Sequence, residues 1–119
     1  MEVRSRAQAD AFTTLDGSTI RVLLDGVLGG AVKQSLAEAT LASGQATQRH
    51  YHAQVEEIYL LLEGEGEMEV DGERRRVGPG DAVLIPPGSW HEIRAGPDGP
   101  LRFLCCCAPP YRDDDTFFA

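Results

Sequence analysis

The chain of 119 residues has no long hydrophobic run. A helix that spans a membrane needs about 20 consecutive apolar residues, and no stretch of this sequence approaches that length. The first ten residues, MEVRSRAQAD, also lack the apolar core of a secretory signal. We therefore expect a single domain that acts in the cytoplasm and has no membrane partner.

Positive charge is also scarce. Lys and Arg together number 11 against 19 Asp and Glu, which gives a formal net charge of -8 at pH 7. A chain of this charge repels the phosphate backbone of nucleic acids. The one basic cluster, at Arg74, Arg75 and Arg76, directly follows Glu73. Nucleic acid is therefore not expected as a partner.

Paired cysteines are absent as well. The three cysteines are consecutive, at Cys105, Cys106 and Cys107, a spacing that fits neither a disulfide framework nor the C-x-x-C pairs of structural zinc sites. A disulfide between neighbouring cysteines would be strained. We expect reduced thiols, which either fill space in a tight core or contact a substrate.

No stretch keeps apolar residues at helical spacing over three turns, whereas 13 glycines and 7 prolines separate short segments rich in Val, Ile, Leu and Tyr. This pattern predicts an all-β sandwich or closed barrel. The predicted strands are 19–24, 32–41, 49–52, 56–62, 65–71, 73–77, 82–85, 89–94 and 101–107. The predicted core spans 19–108, between an N-terminal arm (1–18) and a C-terminal tail (109–119).

Alternation of polar and apolar residues along the strands indicates which side chains face solvent. Glu65, Glu67 and Glu69 alternate with Met68 and Val70, so these acids are expected to face solvent. By contrast, the segment IYLLL at 58–62 is apolar on both faces. A strand of this kind is covered on both sides, by a second layer or by another subunit, and we expect a homodimer.

The arm and the tail show no clear periodicity. Two interpretations remain open for them. Either they are frayed termini, or they cover a barrel mouth or reach a neighbouring subunit, with Phe12, Phe117 and Phe118 as anchors.

Two of the three histidines stand one residue apart, in the sequence His50-Tyr51-His52. On a strand, residues i and i+2 face the same side about 6 to 7 Å apart, so both imidazoles can reach one ion. A carboxylate follows at Glu56 or Glu57. Glu56 would share the histidine face if the strand were unbroken, whereas Glu57 requires a turn or bulge at 53–55. Spacing alone leaves both open.

Here the sequence resembles the cupin superfamily. Gly44, His50, His52, Glu57 and Gly64 match its first motif, G-x5-H-x-H-x3,4-E-x6-G, and the step to Gly64 selects Glu57. Gly80, Pro86, Gly88 and His91 match the second motif, G-x5-P-x-G-x2-H-x3-N, in which Ala95 replaces the final Asn. The resemblance implies a double-stranded β-helix, or jelly-roll, barrel.

The resemblance also implies a divalent metal ion (Fe, Mn, Ni, Zn or Cu) bound by His50, His52, Glu57 and His91. Three imidazoles and one carboxylate leave open positions on an octahedral ion. Alternation further predicts that Tyr59, Phe103 and Cys105 line the pocket.

Three functions are compatible with these features. The first is a metalloenzyme that acts on a small molecule, of the dioxygenase, isomerase, cyclase or lyase type. The second is a module that binds a sugar or organic acid without turnover. The third is a structural or storage role without a metal.

Overall fold

The computed structural model describes residues 1–119 and contains eleven strands and two short 3₁₀ helices. The strands are β1 (Phe12–Thr13), β2 (Thr19–Leu24), β3 (Ser35–Leu41), β4 (His50–His52), β5 (Glu56–Glu63), β6 (Gly66–Val70), β7 (Glu73–Val77), β8 (Ala82–Ile85), β9 (His91–Ala95), β10 (Leu101–Ala108) and β11 (Thr116–Phe118). The helices are Arg6–Gln8 and Asp113–Asp115. Neither has the length or the apolar character that a bilayer-crossing helix requires.

The strands form two antiparallel sheets. One sheet has the order β1-β2-β3-β10-β5-β8 and the other has the order β11-β4-β9-β6-β7. Large apolar side chains from both sheets meet between them and are almost fully buried; they include Leu41, Leu61, Ile85, Ile93 and Phe103. The fold is a jelly-roll barrel, which confirms the all-β prediction.

All nine predicted strands are present, and three of them (19–24, 73–77 and 82–85) have the predicted bounds. The largest difference is at β3, which begins at Ser35 and not at Val32. The ladders of β3 with β10 and β2 begin at Ser35 and Leu36, so the preceding residues have no partner strand. Val32 is accordingly exposed.

The prediction for Glu69 is wrong, because this side chain is buried rather than exposed to solvent. Arg49 donates a hydrogen bond from Nε to the Glu69 carboxylate at 2.6 Å, and the Gly72 N–H donates another at 3.1 Å. The Arg49 guanidinium also lies over the ring of Trp90. A buried carboxylate is tolerated here because its charge and its lone pairs are satisfied.

The frayed-termini interpretation is also wrong, because both termini pack on the barrel. In the arm, β1 pairs with β2, and the Arg6 guanidinium donates two hydrogen bonds, of 2.7 and 2.8 Å, to the buried Glu38 carboxylate. In the tail, β11 pairs with β4 and places Thr116 opposite His52. The tail therefore extends the sheet that carries all three histidines.

The tail also holds the chain where it passes from one sheet to the other. Residues 53–55 connect β4 in the five-stranded sheet to β5 in the six-stranded sheet. The Asp115 carboxylate accepts hydrogen bonds from the backbone N–H groups of Ala53, Gln54 and Val55 at 3.2 to 3.3 Å. One side chain thus satisfies three donors that have left the sheet.

We expect Asp115→Ala to lower the free energy of unfolding by about 1–2 kcal/mol, because it leaves those N–H groups without their charged acceptor. Asp114→Ala is the matched control: Asp114 is exposed and pairs with exposed Arg112, so its loss costs little. Urea denaturation of both variants measures the difference. Equal stabilities for the two variants would contradict the role of Asp115.

Candidate metal centre

Strands β4 and β9 bring the three histidines together. The two strands are neighbours, and His50 stands directly opposite His91 in their register. His52, two residues after His50, faces the same side. All three side chains are buried, and one nitrogen from each ring lies within 4.8 Å of the other two. Such a cluster could hold a metal ion.

Backbone carbonyls fix the orientation of each ring. All three Nδ1 atoms lie within hydrogen-bond distance of a carbonyl oxygen: 2.6 Å for His50 and Gln48, 3.2 Å for His52 and Asp115, and 3.0 Å for His91 and Ser89. A carbonyl only accepts, so each Nδ1 carries a proton. In the neutral ring the lone pair is then on Nε2, as in histidine ligands whose other nitrogen donates to the protein.

Glu57 joins this cluster from the opposite sheet, whereas Glu56 does not. Because the chain changes sheets at 53–55, the alternation of β5 starts anew, and Glu57 points inward at 4% exposure while Glu56 is exposed. Glu57 Oε1 lies 3.4 Å from His52 Nε2 and 3.6 Å from His91 Nε2. The change of sheet at residues 53–55 therefore turns Glu57, and not Glu56, toward the histidines.

The turn before β9 positions His91 beside the two histidines of β4. Gly88 adopts a φ of 79°, in the left-handed region that favours glycine. Its N–H donates a hydrogen bond of 2.6 Å to the carbonyl oxygen of His52. This bond ties the turn to β4, so that His91 reaches the same point as the two histidines of that strand.

A cysteine thiol forms a hydrogen bond with the second oxygen, Oε2, of the Glu57 carboxylate. Cys107 stands opposite Glu57 in the ladder between β10 and β5, and its Sγ donates to Glu57 Oε2 at 3.2 Å. Burial and the Glu57 charge raise the pKa of Cys107 and of Cys105, so both remain thiols at neutral pH. All three cysteines are free.

The protonation of the cluster follows from burial and from mutual charge. Burial alone would raise the pKa of Glu57, but the adjacent His52 and His91 rings outweigh it and lower that pKa to about 2. Burial and the nearby His91 lower the pKa of His50. Burial also opposes charge on His52, but Glu57 raises its pKa. Glu57 is therefore a carboxylate at neutral pH.

Two buried atoms of the cluster, Glu57 Oε1 and His91 Nε2, have no hydrogen-bond partner in the protein. Leaving a buried carboxylate oxygen without a partner costs free energy. A divalent cation between these atoms and the other imidazoles would satisfy both. Imidazole and carboxylate are the donors that Fe, Mn, Ni, Zn and Cu accept, so the residues present fit such an ion.

A cavity of about 350 Å³ adjoins the cluster, and His50, His52 and Glu57 form part of its wall. The predicted pocket residues Tyr59, Phe103 and Cys105 also line it. The arm contributes residues that sequence reasoning did not place there, including Leu15 and Asp16, and the tail contributes Tyr111, Asp113 and Thr116. No periodic pattern marks these residues: Leu15 and Asp16 lie in the connection between β1 and β2, and the tail residues adjoin β11, which pairs with the distant β4.

Comparison with known proteins agrees with the fold. A family model described as a cupin domain matches residues 37–107. An uncharacterized protein of Methanocaldococcus jannaschii is 47% identical over 105 residues, which cover 88% of this chain and 84% of that protein. The polyketide synthase CurC of Streptomyces cyaneus is 29% identical over 78% of this chain and 60% of its own length.

Among solved structures, the polyketide cyclase RemF of Streptomyces resistomycificus superposes with a TM-score of 0.79 and 29% identity, covering 97% of this chain and 89% of that one. The segment that the family model matches, residues 37–107, contains all three histidines and Glu57. The chain belongs to the cupin-domain family.

We expect Glu57→Gln to weaken zinc binding by about tenfold or more, because it removes a charged donor while keeping the side-chain shape. Glu56→Gln makes the same chemical change on the exposed side of the strand and should leave the affinity unchanged. Competition with a chromogenic chelator measures both affinities, and circular dichroism checks the fold. A larger loss in Glu56→Gln would contradict this placement of the carboxylate.

Proposed function

We propose that this chain is a metal-dependent enzyme that acts on a small organic molecule. In this proposal His50, His52, His91 and Glu57 bind one divalent ion, and the adjoining cavity holds the substrate. The observation that supports it most strongly is the pair of partnerless buried atoms, Glu57 Oε1 and His91 Nε2, at the point where the three rings meet. A hydrogen-bonded polar core would have left these atoms paired.

When bound, an ion with four protein ligands keeps positions at which it can polarise a substrate oxygen or, if it is iron, react with dioxygen. The chain supplies the remaining parts of the site. Burial and the Glu57 charge raise the pKa of Tyr59 well above its ordinary value. The phenol therefore keeps its proton and is suited to donate a hydrogen bond to an oxygen of the substrate.

Relatives support a catalytic role in preference to simple binding. CurC and RemF carry the names of polyketide enzymes, and RemF resembles this chain over nearly its whole length. We infer a reaction of the dioxygenase, isomerase, cyclase or lyase type. The free thiols suit the reducing conditions of the cytoplasm, where we propose that the protein acts.

The test compares protein loaded with Fe(II), Mn(II), Ni(II), Zn(II) or Cu(II) with the His91→Ala variant. Each is incubated with a small-molecule cell extract, and mass spectrometry follows substrate loss and product mass. We expect turnover with at least one metal and a loss of about 100-fold or more in His91→Ala, while Glu56→Gln stays active. A compound that binds at the metal but never changes mass would instead indicate a binding module.

We also propose that the protein forms a homodimer through the outer face of its six-stranded sheet. Ile58, Leu60 and Leu84 are exposed there, and Leu84 is 57% exposed. In the ladders, Ile58 adjoins Leu84 and Leu60 adjoins Leu104. Adjacent apolar side chains on an outer sheet face are typical of a surface that another subunit covers.

We expect light scattering to give twice the chain mass of 12.9 kDa, and Leu84→Asp to give a monomer, because it places a charge within the apolar face. Phe117→Asp is the control, since Phe117 is also exposed but lies on the other sheet. A monomeric wild-type protein at micromolar concentration would contradict the proposed dimer. A dimer lost in Phe117→Asp but kept in Leu84→Asp would assign it to the other sheet.

A further inference from the structure

Apart from His50 and His52, the wall of the cavity contains no basic side chain, because none of its lining residues is Lys or Arg. Arginines at this end of the barrel interact elsewhere: Arg4 Nε donates to the carbonyl of Leu23, and an Arg21 guanidinium N–H donates to the carbonyl of Ala9. Phosphate and carboxylate groups are usually recognised by such side chains, so the wall away from the histidines lacks the side chains that bind an anionic ligand.

The other ionisable side chains with a full charge at neutral pH that line the cavity are carboxylates. Besides Glu57, the wall contains the carboxylates of Asp16, Asp25 and Asp113. Asp16 and Asp25 are held by local hydrogen bonds, Asp16 from the Ser18 N–H and hydroxyl and Asp25 from two backbone N–H groups. These bonds fix the carboxylates in place without bringing a cation to them. A dianion that entered the cavity would meet like charges in a partly desolvated site.

The rest of the wall is largely apolar. Ile20, Val22, Ala39 and the rings of Tyr59 and Phe103 line it, with the two ring centroids 4.6 Å apart. Packing against such a surface favours a ligand with an apolar body. A cavity of about 150 Å³ accommodates benzene. A volume of about 350 Å³ therefore suits one or two rings with polar substituents.

We propose that the cavity selects an uncharged molecule of one or two rings, with an oxygen directed to the histidine end, and rejects phosphorylated and dicarboxylate molecules. The direction of that oxygen rests on the proposed function. The selection by charge and size rests on the cavity wall, independently of any metal. Tyr59, His50, His52 and Glu57 form the polar end of the cavity wall.

Two probes that differ by one charge test this selection: 2,3-dihydroxynaphthalene and its 6-sulfonate. Naphthalene fluorescence measures binding of each probe to the full chain, with and without zinc. We expect the uncharged probe to bind at least ten times more tightly than the sulfonate in both forms of the protein. Equal binding, tighter binding of the sulfonate, or no binding of either probe at millimolar concentration would overturn the proposal.

A charge-reversal variant tests whether the wall is the cause. Asp113→Lys changes an exposed residue of the cavity wall and should reduce the preference for the uncharged probe at least threefold. Glu73→Lys makes the same change of charge at an exposed site on β7, outside the cavity, and should leave the preference intact. An equal reduction in both variants would show that net charge is responsible and would overturn the proposal.

The zinc titration separates this proposal from the proposed function. If zinc does not bind while the uncharged probe is still preferred, the metal-dependent function fails and the cavity selection stands. If zinc binds at the histidines while both naphthalenes bind equally, the cavity selection fails and the metal-dependent function stands.

Discussion

The hydrogen bonds from the three histidine Nδ1 atoms to backbone carbonyls are the constraint on which the site depends. Each bond sets both the tautomer and the direction of its ring, so that the Nε2 atoms converge. The three carbonyls come from different parts of the molecule: the approach to β4, the turn before β9 and the C-terminal tail. The barrel and its tail are therefore both parts of the site.

The passage of the chain between the sheets is the second determinant. It turns Glu57 inward and Glu56 outward, and it brings a carboxylate from one sheet against imidazoles from the other. Asp115 links this passage to the tail twice, since its carboxylate holds residues 53–55 and its carbonyl accepts from His52. The residue that stabilises the crossover thus also orients a histidine. Cys107 completes the support by donating a hydrogen bond to Glu57 Oε2.

The internal strands and the histidine face follow from local sequence, because alternation and turn residues act over a few positions. The choice between Glu56 and Glu57 does not follow from local sequence, because the face on which each residue of β5 lies depends on the sheet that β5 joins. Only the spacing of the motif favours Glu57. Strands β1 and β11 have two and three residues, too few for a periodic signal. The partner of β11, strand β4, is also distant in sequence. Glu69 was misjudged for a similar reason, because Arg49, which neutralises it, lies 20 positions away.

The most direct test of the central claim is anomalous diffraction from crystals of protein purified without an affinity tag, recorded on both sides of the absorption edge of the bound metal. We expect one strong peak per chain within about 2.0–2.3 Å of the Nε2 atoms of His50, His52 and His91 and of a carboxylate oxygen of Glu57. No peak at this position after incubation with excess divalent metal, or ligation through Nδ1, would contradict it.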